Sequence, residues 1–269
     1  MQISSAQASC CATMIYPFTM ESLSADAFLG GKLTLRQPKD GYRAGADPVF
    51  LAAAVPAMPG DRVLDMGCGV GTALLCLMTR VPDLMSVGVE ANADYAELAR
   101  QNAQDANFSP TIHTCDLNAL PTDLRNQSFD HVLTNPPFFD RDKGSRAVDM
   151  GRETGRGETL DLATWMDSCV RRLAPKGLLS VIQRADRLPA LLAALDERVG
   201  DVSVLPLVPR TGRAAKLVLL QAQKGAKGPF QLIAPFVLHR GSRHERDGDS
   251  YTQAAQDILR NGAPFPSRD

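Results

Sequence analysis

The feature that most constrains the fold of this chain is an alternation, from Arg62 onward, of short β-branched runs with longer amphipathic runs. This alternation is typical of a parallel sheet wrapped by helices, because neighbouring parallel strands need a long crossover connection. We therefore predict an α/β fold. The predicted strands are Arg62 to Met66, Met85 to Glu90, Thr111 to Cys115, Phe129 to Thr134, Gly177 to Gln183, and a closing pair at Asp201 to Leu207 and Lys216 to Gln221. The predicted helices are Thr72 to Arg80, Ala93 to Ala106, Leu160 to Leu173 and Leu188 to Val199.

The segments on either side of this core are expected to extend it rather than to form further domains. Downstream, the pattern predicts a strand at Leu232 to Leu238 and a helix at Tyr251 to Leu259. Upstream, a helix is predicted at Asp47 to Val55, because Asp caps free amides and the following Pro48 suits the first helical turn. The expected organisation is a flexible tail or over-extended start at 1–23, with Met14 or Met20 as alternative starts, a cap segment at 24–60 and the main domain at 61–262.

Composition restricts the class of protein. Of the 269 residues, 44% are hydrophobic and 22% are charged, as in globular proteins and unlike disordered or fibrous ones. The 29 basic and 30 acidic residues leave a net charge of -1, which argues against a protein that coats nucleic acid by bulk positive charge. The cysteines have neither C-x-x-C nor zinc-site spacing, so we expect no metal and a cytoplasmic protein. No apolar run approaches the roughly 18 residues of a membrane span, so no membrane association is expected.

The most informative motif is the glycine-rich turn Asp65-Met66-Gly67-Cys68-Gly69-Val70-Gly71, which follows a predicted strand and opens a predicted helix. Glycines in such a turn permit positive φ angles and a close approach of the backbone to a ligand. A dinucleotide site has the spacing G-x-G-x-x-G and seats a pyrophosphate on helix amides, and an acidic residue at the strand end would repel phosphate. Asp65 instead suits a ligand with a free ammonium group, such as S-adenosylmethionine. The alternative interpretation is an ordinary strand-to-helix turn.

Acidic residues also end the next two predicted strands. Glu90 can accept both hydroxyls of a ribose, and Asp116, with Leu117 beside it, is placed to accept from an adenine amino group. Each alone is also compatible with a solvated strand end. Because ligands of such sheets bind outside the carboxyl ends of the strands, Asp65, Glu90 and Asp116 together predict one nucleoside site.

A second motif, Asn135-Pro136-Pro137-Phe138, follows the fourth predicted strand. The two prolines fix an extended turn, so the side-chain oxygen of Asn135 and the carbonyl of Pro136 can both accept from a flat NH2 group. Phe138 offers a face on which a planar ring can stack. Such an amine is a poor nucleophile because its lone pair is conjugated, and two aligned acceptors help its nitrogen become pyramidal toward a methyl donor. An isolated N-P-P turn over a buried Phe would have a structural role. Here the turn follows a strand of the same predicted sheet as the glycine-rich turn, which favours the catalytic interpretation.

Together, Asp65-x-Gly-x-Gly and the downstream N-P-P-F turn resemble the class I S-adenosylmethionine-dependent amino-methyltransferases. With Tyr42-Arg43-Ala44-Gly45-Ala46-Asp47 and the tail around Leu238-His239-Arg240-Gly241 and Tyr251, the chain is similar to the bacterial tRNA (adenine-N6)-methyltransferases that modify adenosine 37 of a valine tRNA. The resemblance runs from about residue 26 to residue 261. It implies a Rossmann-like, mostly parallel seven-stranded sheet with helices on both faces and an antiparallel closing strand.

The resemblance also implies which residues bind the cofactor and the target base. The segment Arg43 to Asp47 is placed near the methionine end of the cofactor, although helix capping explains Asp47 equally well. The implied cofactor residues are Asp47, Asp65, Gly67, Gly69, Gly71, Glu90, Asp116 and Leu117, and the implied catalytic residues are Asn135, Pro136, Pro137 and Phe138.

The motifs leave the substrate open, because similar turns serve enzymes that methylate adenine N6, cytosine N4, guanine N2 or a protein glutamine. A local excess of basic residues between Pro209 and Arg246 suits an RNA backbone. The alternative for these residues is a solvated surface. A tRNA is therefore the expected partner, with N5-glutamine methylation of a translation factor, guanine-N2 methylation of rRNA, and a cofactor-binding RNA module without turnover as the alternatives. The residues expected to bind RNA are Arg210, Arg213, Arg240 and Arg243.

Overall fold

A computed structural model describes residues 18–137, 161–241 and 250–266 of the chain. The strands are β1 (Leu23–Phe28), β2 (Leu33–Pro38), β3 (Arg62–Met66), β4 (Met85–Glu90), β5 (Thr111–Thr114), β6 (Phe129–Thr134), β7 (Leu173–Arg184), β8 (Val199–Val208), β9 (Leu217–Lys224), β10 (Gln231–Leu232) and β11 (Phe236–Val237). The α-helices are α1 (Asp47–Ala54), α2 (Thr72–Arg80), α3 (Ala93–Asp105), α4 (Thr122–Arg125), α5 (Leu162–Arg172), α6 (Leu188–Ala193) and α7 (Gln253–Gln256), the last continuing as a π-helix over Asp257–Asn261.

The main sheet has the strand order β10-β8-β9-β7-β6-β3-β4-β5. Strands β3 to β7 are parallel, and β9 runs antiparallel to both of its neighbours. The chain leaves β3 toward β4 on one side and returns to its other side with β6, so the strand order reverses between β3 and β6. Ligands of open α/β sheets bind at the carboxyl edge of such a reversal. The predicted Rossmann-like α/β fold with an antiparallel closing strand is confirmed.

The sheet contains two short strands beyond the expected seven. Instead of one strand from Leu232 to Leu238, the chain forms β10 and β11, which lie end to end along the same edge of β8. Pro235 falls between them and Pro206 lies opposite in β8. Neither proline has an N–H group to donate, so the ladder is interrupted there and the predicted single strand becomes two.

The two faces of the sheet bury separate apolar clusters, because successive strand residues point to opposite sides. Val63 and Leu133 pack with α1, α2 and α3 on one face. Leu64 and Val132 pack with α5 and α6 on the other face. No helix in the described ranges combines the length and the apolar composition that a membrane span requires.

The N-terminal cap segment contains an antiparallel hairpin, β1–β2, that the sequence pattern did not indicate. Buried Asn102 of α3 attaches this hairpin to the core: its Oδ1 accepts from the Arg36 N–H at 2.8 Å, and its Nδ2 donates to the Arg36 carbonyl at 3.1 Å. The same Nδ2 donates to the carbonyl of Val70 at 3.0 Å. A single buried amide thus links the cap to the glycine-rich turn.

Several predicted boundaries shift by one to four residues in the structure, and three further differences are larger in consequence. Most of the tail expected over residues 1–23 lies outside the described ranges, but a 3-10 turn at Met20–Ser22 and the first residue of β1 belong to the folded cap. The helix expected to reach Val199 ends at Ala193, and Val199 instead opens β8. The prediction that Asp47 caps α1 is wrong: Asp47 is the first helical residue, and the N-cap position is Ala46 without a side-chain capping bond.

Candidate active site

The glycine-rich turn connects β3 to α2 at the point where the strand order reverses. Gly67, Gly69 and Gly71 have φ angles of 77°, 56° and 87°, a region that side-chain-bearing residues rarely adopt. At Gly67 a close neighbour adds a second constraint, because a Cβ atom there would lie 2.7 Å from the ring of Trp165. The N–H groups of Gly67 and Cys68 both donate to the Val89 carbonyl at 2.9 Å, which joins the turn to the neighbouring strand β4.

Asp65, the acidic residue of this turn, is buried with one oxygen unsatisfied. Its side chain is 2% exposed, and within the described residues its Oδ2 has no hydrogen-bond partner. Burial raises the pKa of this carboxyl to about 7, and the charge of Glu90 adds to the increase while a backbone hydrogen bond with Leu74 opposes it. A buried acceptor without a partner is costly. The site therefore fits a ligand that brings a cationic donor to Asp65.

Asp65 lines the same cleft as the turn that follows β6, Asn135-Pro136-Pro137, which we call the acceptor turn. This cleft lies between the cap segment and the carboxyl ends of β3 and β6. Residues of the cap segment, of the glycine-rich turn and of the acceptor turn all contribute to its walls. They include Tyr42, Pro48, Asp65, Gly67, Gly69 and Asn135. Asn135 and Asp65 therefore line the same cleft.

Glu90 and Asp116 lie at the ends of β4 and β5, but their carboxylates already have protein partners. Glu90 accepts from the N–H of Gly69 through Oε2 and from the N–H of Asn92 through Oε1, both at 2.9 Å. Asp116 accepts from the Asn118 N–H at 2.8 Å. Each carboxylate oxygen has a further lone pair, so these bonds fix the orientation of the side chains and leave acceptor capacity for a ligand.

Two other residues expected at the cofactor have different surroundings. Leu117 is 6% exposed and packs in the apolar core, so only its backbone is available to a ligand. Asp47 at the start of α1 is half-buried, and burial raises the pKa of its carboxyl. Its neighbour Pro48 lines the cleft.

The acceptor turn is held from both sides. The Nδ2 of Asn135 donates to the hydroxyl of Tyr42 at 3.4 Å. The carbonyl of Pro136 accepts from the Nε2 of Gln183 at 3.2 Å. Pro137 continues the turn, and Phe138, the expected stacking residue, lies outside the described residues.

A hydrogen-bonded chain lies beneath the turn. The indole N–H of Trp165 donates to the hydroxyl of Thr134 at 2.9 Å, and this hydroxyl donates to the Met66 carbonyl at 2.7 Å. Thr134 is the last residue of β6 and Met66 is the last residue of β3. These bonds tie together the two strand ends that carry the acceptor turn and the glycine-rich turn.

The arginines expected to bind RNA differ in their exposure and in their partners. Arg210 is 9% exposed, and its guanidinium donates to the carbonyls of Arg240 and Gly241. The prediction of a phosphate contact at Arg210 is therefore corrected to a structural role in joining two loops. Arg213 and Arg240 are exposed, and Arg243 lies outside the described residues. Within the part of the chain that the structure describes, no group of three His, Cys, Asp or Glu residues is placed to hold a metal.

Sequence reasoning assigned no role to Tyr42, Gln183 or Trp165. Tyr42 stands in the segment that carries the family resemblance, but nothing in the sequence pairs it with Asn135. Gln183 has a detectable signal, because it is a polar residue at the end of a mostly apolar predicted strand. Its partner in the acceptor turn becomes apparent only from the pairing of β6 with β7.

Solved structures share the fold of this chain. A protein from Agrobacterium tumefaciens, given as a predicted O-methyltransferase, superposes with a TM-score of 0.66 at 23% identity over 83% of this chain and 100% of its own. A methyltransferase from Pyrococcus furiosus superposes with a TM-score of 0.52 at 15% identity over 72% of this chain and 90% of its own. At these identities the likeness establishes the fold alone. The chain has a class I methyltransferase fold.

Sequence relatives narrow the class to a family. The model of the methyltransferase small domain matches residues 46–205. The tRNA1(Val) (adenine(37)-N6)-methyltransferase of Porphyromonas gingivalis is 32% identical over 200 residues, which cover 68% of this chain and 77% of the relative. The protein of the same name from Aeromonas hydrophila is 30% identical over 189 residues, with the same two coverages. The chain belongs to the methyltransferase small domain family, together with these bacterial methyltransferases, and the predicted family is confirmed.

Proposed function

We propose that this chain transfers a methyl group from S-adenosylmethionine to N6 of an adenosine in a tRNA anticodon loop. The observation that carries the proposal is the shared cleft, which is lined by Asn135 of the acceptor turn and by Asp65, whose Oδ2 has no hydrogen-bond partner among the described residues. The names of the relatives from Porphyromonas and Aeromonas support the choice of tRNA and of adenine N6.

The strand-end carboxylates supply the groups that a zwitterionic nucleoside needs. Asp65 would accept from the ammonium group of the cofactor, Glu90 from its ribose hydroxyls and Asp116 from its adenine amino group. When bound, the cofactor supplies a methyl group made electrophilic by its sulfonium. The bond from Gly69 to Glu90 couples the ribose position to the glycine-rich turn, so one side chain orders the loop and the ligand together.

The acceptor turn would bind the amino group of the target base. Since Nδ2 of Asn135 is directed to Tyr42, the Oδ1 atom of the same amide remains as an acceptor for the target NH2 group. The Pro136 carbonyl supplies the second acceptor. Together they draw the two N–H bonds out of the plane of the base, which returns the lone pair to the nitrogen and directs it at the methyl carbon. Extruding a base from a single-stranded loop into such a cleft costs little free energy, because few stacking and pairing interactions are lost.

The exposed arginines favour RNA over a glutamine peptide. Strand β8 is parallel to β7, and β11 is parallel to β8. The loop that follows β8 and the residues that follow β11 therefore emerge at the carboxyl edge of the sheet, where the cleft lies. Arg213 and Arg240 are exposed in these two segments. Positive charge at this edge suits a phosphate backbone.

The decisive experiment is mass spectrometry of nucleosides from purified tRNA of a deletion strain. We expect loss of N6-methyladenosine from a valine tRNA, restored by the wild-type gene and by Asn126→Ala, an exposed asparagine away from the cleft, but not by Asn135→Ala. An unchanged tRNA profile would refute the proposal. Loss of N5-methylglutamine from a translation factor, or of N2-methylguanosine from rRNA, would instead identify the alternative substrate.

A further inference from the structure

Gln183, near the end of β7, is a buried carboxamide whose orientation is fully determined by its partners. It is 2% exposed. Its Oε1 accepts from the backbone N–H of Arg184 at 2.9 Å, and its Nε2 donates to the Pro136 carbonyl at 3.2 Å. A backbone N–H can only donate and a carbonyl can only accept, so the amide cannot be flipped without losing both bonds.

The pairing of β6 with β7 explains why a side chain is needed at this point. The parallel register ends with Thr134 opposite Val181. Continued by two residues, the same register places Pro136 opposite Gln183. Pro136 and Pro137 have no N–H groups, so backbone pairing cannot continue through them. The Nε2 of Gln183 supplies a hydrogen bond to the turn where the backbone ladder cannot continue.

This bond acts on the atom to which the proposed function assigns chemistry. A carbonyl oxygen has two acceptor positions. Gln183 occupies one of them, which leaves the second position for another donor and stops the carbonyl from rotating away. We propose that Gln183 is a positioning residue for methyl transfer, which fixes the direction of the Pro136 carbonyl toward the target amine. The inference rests on the proposed function, because it takes the amine as the group that meets Pro136.

The first test separates catalysis from binding with Gln183→Leu, which keeps the volume and removes the donor. We expect kcat for tRNA methylation to fall about tenfold to a hundredfold, the scale of a misplaced reacting group. The KM for tRNA and the Kd for S-adenosylmethionine should stay within about twofold of wild type, because the carbonyl acts on the amine during transfer.

A second test uses Gln183→Glu, which has the same shape and donates only when protonated. The ratio of its kcat to that of wild type, at saturating cofactor, should rise as the pH falls, whereas the ratio for Gln183→Leu should stay flat. Among the described residues, the charged groups near this strand end include Arg184, which is paired with Asp186, and also Arg187 and Lys216. These groups influence the pH at which the kcat ratio of Gln183→Glu changes. The direction of the change depends only on whether the Glu carboxyl is protonated and can donate.

Gln221 of β9 provides a matched control. It is also buried, at 7% exposure, and donates to the Ala54 carbonyl at 2.7 Å and to the Ser180 hydroxyl at 3.0 Å. Gln221→Leu should lower the melting temperature and leave kcat unchanged. The proposal is overturned if Gln183→Leu retains wild-type kcat, if Gln221→Leu loses kcat equally, or if the ratio for Gln183→Glu does not depend on pH. Failure of the wild-type protein to methylate tRNA would instead refute the proposed function, so the two failures are distinguishable.

Discussion

Replacing Asp65 with Asn should abolish cofactor binding. In the cofactor-free protein, the stability of the variant relative to wild type should increase from acid to neutral and alkaline pH. The carboxyl is 2% exposed and lacks a partner for Oδ2 within the described residues. Its pKa rises from 3.8 to about 7, chiefly because burial disfavours the ionised form. A neutral amide of the same shape avoids this cost and loses the charge that would attract an ammonium group.

The magnitude follows from the two pKa values. The difference between 3.8 and about 7, at about 1.4 kcal/mol for each pH unit, corresponds to about 4 kcal/mol. Because the folded-state pKa lies above the unfolded-state value, the protonated carboxyl of Asp65 makes its full contribution to wild-type stability below about pH 4. This contribution is lost as the pH rises to about 7, and above that pH the stability no longer changes through Asp65. The unpaired NH2 group of the Asn side chain costs about 1–3 kcal/mol at every pH, so the pH dependence is the cleaner signal.

The assay is urea denaturation of wild type and Asp65→Asn, both without cofactor, between pH 5 and pH 8. The free energy of unfolding of the variant minus that of wild type should increase by about 2–3 kcal/mol across this range, which is the part of the change that lies above pH 5. Isothermal titration calorimetry should show no binding of S-adenosylmethionine to the variant. Parallel pH curves for the two proteins would refute the argument, since they would mean that Asp65 has the same pKa in the folded and unfolded states.

Two further predictions concern the cofactor and the RNA. Glu90→Gln replaces one acceptor oxygen with a donor, so one of the two backbone amides bound to Glu90 loses its partner. Calorimetry should show that the variant binds S-adenosylmethionine about tenfold more weakly. An unchanged Kd would contradict the role of Glu90 in binding the ribose. Reversing the charge of Arg213 and Arg240 together should lower the salt dependence of tRNA binding by about two in the log–log slope. The matched control reverses Lys176 and Lys227, exposed residues at the opposite edge of the sheet, and should leave the slope unchanged. Equal slopes for both double variants would mean that the basic residues form only a solvated surface.

The parts of the fold and site that the sequence predicted are those set by local chemistry. The spacing of Gly67, Gly69 and Gly71 after an apolar strand indicated a turn with positive φ angles, because only glycine adopts them without strain. The alternation of strands and helices then placed Asp65 and Glu90 at one edge of a parallel sheet, because all such strands end on the same side. These inferences depend on neighbours along the chain, and the sequence contains that information directly.

The tertiary structure decided which polar groups have partners. Arg210 and Arg213 are three residues apart and chemically identical, yet one is buried against two carbonyls and the other is exposed. Gln183 and Pro136 lie 47 positions apart in the chain, and they meet only through the register between β6 and β7. Burial and hydrogen bonding depend on which distant segments pack together, and composition or spacing does not encode them locally. The sequence by itself therefore determined the elements and the edge that holds the site, and only the packing of those elements determined how its acceptors are oriented.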